Sequence, residues 1–180
     1  MPLRISNRQT TFWDFAGPDG PMRVHFDHKQ EQSFVTAECD DITLASDHPV
    51  LLDYRHEWIS VYLASAASSP ETLLEDLAAE IAAVVGSWRS TTTYFNSNVD
   101  PLELLRSGSG LLLEAPRPIS ERLCATLESA AVRHTAIRAR PAQWPMQALI
   151  AGPNFVVAKG FRVEGGPNNS FKGMPLRGTP

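Results

Sequence analysis

Between residues 66 and 70 the spacing of the apolar residues changes period, and that change does most to limit the fold. Upstream, Met22, Val24 and Phe26 alternate with Arg23, His25 and Asp27, the period of two of a half-buried strand. Downstream, SSPETLLEDLAAEIAAVVG sets Leu73, Leu74, Leu77, Ile81 and Val84 at steps of three and four, one stripe of an amphipathic helix. Ser69 stands at its cap, Pro70 at its first position and Gly86 at its stop. A chain with both periods in separate blocks packs helices against a sheet.

The remaining elements follow from the same signals. Residues 1–21 read as polar and turn-rich, with FAGPDGP as a loop and Phe12, Trp13 and Phe15 docking on the core. SFVTAECDDITLAS predicts one long strand or a bent pair, and VLLDY and WISVYLASA predict two more. Consecutive strands with short connections usually pair, so these form a four-stranded meander over 22–66. NVDPLELLRSGSG predicts a short helix with Asp100 as cap and Gly108 as stop. GLLLEAP predicts a buried strand, ISERLCATLESAAVRH a third helix capped by Ser120, TAIRAR a strand and FVVAKGFRVE a last strand. The strand-helix-strand run ending at TAIRAR has the order of a β-α-β unit. The expected class is α+β: a mainly antiparallel sheet, N-terminal four-stranded meander plus later strands, with two to three helices packed on one face. Residues 1–164 are expected to form one domain, and the Gly/Pro/Asn-rich residues 165–180 a flexible tail.

Charge separates along the chain. Residues 1–90 carry a net −8 and residues 91–180 a net +4, for −4 overall. With a pI near 5.7, and few aromatics near Arg133, Arg138, Arg140 and Arg162, nucleic acid is disfavoured as a partner. No stretch reaches the roughly 18 apolar residues of a membrane span. The start lacks a signal-peptide pattern, and the two cysteines, Cys39 and Cys124, form no C-x-x-C pair. A cytoplasmic protein without membrane contact is the expectation.

VHFDH at 24–28 is the nearest approach to chemistry. His25, Asp27, His28 and His48 mix imidazole with carboxylate, a legitimate zinc or iron set if they converge. Neither H-x-H on a strand nor H-x-x-x-H on a helix occurs, so the spacing does not itself bring them together. No phosphate loop or nucleophile elbow is present, and no cofactor is expected. Cys39 lies between Glu38 and Asp40-Asp41, where negative charge raises a thiol pKa, and Cys124 reads as a buried helix cysteine.

Six acids crowd twenty residues: Glu38, Asp40, Asp41, Asp47, Asp53 and Glu57, against Arg55 alone. A small acidic α+β chain of this kind looks like bacterial immunity and antitoxin-type inhibitors, an analogy of composition. It implies a non-catalytic protein-binding module that docks a basic protein partner through those six acids, with Trp88 and Trp144 as aromatic anchors. The alternative is a small enzyme or ligand-binding domain with a His/Asp site (His25, Asp27, His28, His48) between sheet and helices. A further alternative is a homodimer through a sheet edge, with strand 155–163 as the candidate.

Overall fold

The computed structural model describes residues 3–17, 20–143 and 145–165. The chain is α+β, and all strand pairings are antiparallel. Its contacts divide it into two compact units, residues 1–51 with 145–180, and residues 52–144. Where the sequence suggests a single domain over 1–164, each unit has its own core.

The first unit is built from strands. β1 (Leu3–Arg8), β2 (Phe12–Gly17) and β3 (Gly20–Asp27) join β5 (Glu38–Cys39) and β12 (Gly160–Gly165) in the order β12-β3-β2-β1-β5. β4 (Glu31–Ser33), β6 (Thr43–Ala45), β10 (Gln147–Ala151) and β11 (Asn154–Ala158) form a second sheet, β4-β11-β10-β6. Alternation decides which side chains go in. Trp13, Phe15, Met22, Val24 and Phe26 are buried, whereas their neighbours Asp14, Arg23 and His25 face outward. Leu149, Ala151, Val156 and Ala158 of the second sheet complete this core. β10 and β11 form a hairpin closed by Gly152 and Pro153; Gly152 has φ +60°, the left-handed backbone a primed two-residue turn requires at its first position.

The second unit sets helices on a sheet. β7 (Trp58–Leu63) lies between β8 (Gly110–Pro116) and β9 (His134–Arg140). Both neighbours run antiparallel to β7 and hence parallel to each other, so β8, α4 (Arg117–Ser129) and β9 make a β-α-β unit with β7 inserted. α2 (Pro70–Val85) buries Leu73, Leu77, Ile81 and Val85 against this sheet's core. Each such burial contributes about 2 kcal/mol. α3 (Pro101–Ser107) starts as its sequence dictates: Asp100 accepts from the Leu102 N–H at 2.9 Å, and Gly108 closes it in the left-handed conformation. α1 (Leu52–Arg55) is a single turn.

Several expectations are corrected. The meander over 22–66 does not form. The pieces at 31–33, 38–39 and 43–45 are too short to fold back on each other, and they pair with β11, β1 and β10 instead. VLLDY is helical, not a strand: a 3-10 turn (Pro49–Leu51) runs into α1, because consecutive apolar residues suit a turn that sends Val50 and Leu51 into the interior. The polar N-terminus supplies β1 and β2. FVVAKGFRVE divides at Lys159 into β11, inside its sheet, and β12, at the edge of the other. α4 begins at Arg117, so Ser120 is within the helix and donates to the carbonyls of Ala115 and Pro116 instead of capping. Of the expected tail 165–180, Gly165 ends β12 opposite Met22 and the rest lies outside the described residues.

Candidate functional site

The histidine set does not come together. His25 projects from the outer face of β3, beside Phe12 (ring centroids 5.7 Å) and with Nε2 3.1 Å from a Glu164 carboxylate oxygen. The hydrogen bond from His25 holds the Glu164 carboxyl below the usual carboxylate range, with further help from the charges of His25, Arg162 and Arg23. Asp27 ends the strand, where its carbonyl accepts from Lys159. His28 has φ +50° and leads the chain away. His48 sits before the 3-10 turn, its Nδ1 3.4 Å from the Val50 N–H, and burial pushes its pKa down. Among the described residues, no three His, Cys, Asp or Glu side chains are grouped so as to hold a metal ion.

Around His25 lies a charged row that sequence reasoning missed. Arg23 grips Asp14 with two bonds, Nε–Oδ1 at 2.6 Å and Nη2–Oδ2 at 2.9 Å, while its guanidinium stands 4.0 Å over Phe12. Glu164 pairs with Arg23 in the strand register, and a depression of about 430 Å³ opens beside Ser6, Asp14, Arg23 and Glu164. The signal was the polar half of the alternation in β2, β3 and the last strand. The Glu164 carboxyl, held below its usual range, is a poor proton donor near neutral pH.

The acidic candidates fall into two groups. Glu38, Asp40, Asp41 and Asp47 belong to the first unit, and all four are exposed. Glu38 lies opposite Arg4 across β5 and β1. Asp40 and Asp41 follow where β5 ends. No ion pair among the described residues engages Glu38, Asp40 or Asp41. Cys39 between them is turned inward, and its thiol pKa is pushed up to about 11, first by burial and then by Asp41 and Asp40.

Asp53 and Glu57 belong to the second unit and are engaged inside it. Asp53 accepts from the Tyr94 hydroxyl at 2.9 Å, lies 3.3 Å from Arg89, and gives its backbone carbonyl to the Trp58 indole N–H at 2.8 Å. Tyr94 is buried against Trp58 (ring centroids 5.9 Å). Glu57 is held by Arg117 and by Arg138, the latter at 2.9 Å. Trp88 ends a 3-10 turn (Gly86–Trp88) and is half-buried. Trp144 lies outside the described residues.

Comparison with protein families, with characterised proteins and with solved structures finds no match for this chain. No helix among the described residues is long and apolar enough to cross a membrane.

Proposed function

We propose that this chain is a non-catalytic protein-binding module, an immunity or antitoxin-type inhibitor working in the cytoplasm, whose first unit docks a basic protein through Glu38, Asp40, Asp41 and Asp47. The observation that supports this reading is the run Glu38-Cys39-Asp40-Asp41. Three exposed carboxylates stand without an ion pair among the described residues, while the intervening cysteine anchors the run in the core. Unneutralised charge on a fixed backbone steers an oppositely charged partner and loses little entropy on contact. The rest of the acidic set is reassigned: Asp53 and Glu57 hold the second unit together. The rival reading, a His/Asp site for an enzyme or ligand-binding domain, draws no support from the positions of His25, Asp27, His28 and His48.

The test is affinity capture from the host's lysate with the purified chain and with a Glu38→Gln/Asp40→Asn/Asp41→Asn/Asp47→Asn variant. One basic protein retained near equimolar ratio by the wild type, and lost with the variant, supports the proposal. Equal capture by both, or capture by neither at low salt, contradicts it.

A further inference from the structure

The chain passes from the first unit to the second through the 3-10 turn Pro49–Leu51, and the next residue opens α1. Pro49 has no N–H, so the donors at the start of the turn are those of Val50 and Leu51, whose side chains are fully buried. His48 takes both. Its carbonyl accepts from the Leu51 N–H at 2.8 Å, and its Nδ1 accepts from the Val50 N–H at 3.4 Å. An imidazole thereby stands where helical turns usually carry Ser, Thr, Asp or Asn.

That substitution makes the turn conditional on protonation. Nδ1 accepts only while it carries no proton, so the neutral ring holds its proton on Nε2. A second proton goes to Nδ1 and sets N–H against N–H. His134 has the opposite arrangement: its Nδ1 lies 3.1 Å from the Val132 carbonyl, which a proton on that atom suits. Burial governs the His48 ring and depresses its pKa below the ordinary 6.5. β10, packed against the turn, and β6, the strand before it, carry no titratable side chain. Asp47, ahead of the ring, is exposed. α1, beyond the turn, carries Asp53, Tyr54 and Arg55, and Asp53 faces Tyr94 and Arg89.

We propose that His48 is an acid-sensitive latch on the segment that leads from the first unit to the second: its neutral ring closes the turn, and its protonated ring releases it. The sign follows from the depressed pKa. The stabilisation is fully present above pH 6.5 and is lost as pH falls through the lower, folded value. The latch is separate from the acidic run, and the inference does not depend on the function proposed above.

The experiment is residue-resolved amide hydrogen exchange of the full chain between about pH 7.5 and about pH 5, each rate divided by the intrinsic rate at that pH. In the wild type, protection of Val50 should fall about fivefold across this range, the worth of one hydrogen bond. His48→Asn, whose side chain accepts at either pH, should keep the higher protection throughout. His48→Ala, which has no cap, should show the lower protection throughout. Far-UV circular dichroism should show each variant folded; if one is not, the other decides. Wild-type protection that does not change with pH, or an equal fall in either variant, overturns the proposal.

Discussion

Replacing Asn154 by alanine should unfasten the segment that leads into the acidic run. Asn154 opens β11 with a fully buried side chain that uses all its hydrogen-bonding capacity on backbone. Its Oδ1 accepts from the N–H groups of Val35 at 2.7 Å and Thr36 at 3.1 Å. Its Nδ2 donates to the carbonyls of Thr36 and Ala151, both at 2.9 Å. At about 1 kcal/mol net per bond, four bonds amount to about 4 kcal/mol. Val35 is exposed, so water can reach part of what the amide leaves behind, and the expected loss falls to about 3 kcal/mol. Urea unfolding measures the global cost. The local cost is read from Cys39, three residues beyond Thr36, in a Cys124→Ser background. A buried thiol reacts with a disulfide reagent only when the segment opens, so the labelling rate should rise about 100-fold. Asn154→Asp should be no better at neutral pH, because it still accepts from Val35 and Thr36 but turns a carboxylate oxygen on two carbonyls. An Asn154→Ala protein that unfolds and labels like the wild type would refute the reasoning.

Three other outcomes are expected. Gly108 has φ +70°, and a Cβ there would stand 2.0 Å from the Ala66 nitrogen, so Gly108→Ala should cost about 3 kcal/mol or more in a thermal melt. Asp53→Asn removes the charge facing Arg89 and should cost about 2 kcal/mol of stability, with no loss of partner capture. Cys39 has a folded pKa of about 11 against an ordinary thiol value of 9.0, so its contribution is fully present below pH 9 and lost as pH rises through 11. In the Cys124→Ser background, stability should fall by about 3 kcal/mol across that window, and Cys39→Ser should remove the slope.

Local chemistry was legible in the sequence where one short segment determines it. Asp100, Pro101 and Gly108 bound α3, and of the stripe read for α2 Leu73, Leu77 and Ile81 are buried, while Leu74 and Val84 are half-buried and Val85 goes inward instead. The β-α-β order survives because parallel strands need a crossover, whatever strand lies between them. Partnership between strands was not legible. β6 pairs with β10 about a hundred residues later, and no local pattern in Thr43–Ala45 encodes that choice. The division of the acids has the same cause. Asp53 and Glu57 are close to Asp47 in sequence, but their partners, Arg89, Tyr94, Arg117 and Arg138, come from distant segments. The Asp14–Arg23 pair was missed for the same reason: it needs β2 and β3 in register, and residues 1–21 read as polar and turn-rich instead of as a strand pairing with β3.

The most direct measurement of the central claim is the association rate of this chain with its captured partner as a function of salt. Charge on Glu38, Asp40, Asp41 and Asp47 acts over a screening length of about 10 Å at 0.1 M ionic strength. If these residues dock a basic protein, the association rate should fall steeply as salt rises, and the four-residue neutral variant should lose about tenfold in association rate and most of the salt dependence. An association rate that is indifferent to salt and to those four substitutions would contradict the account.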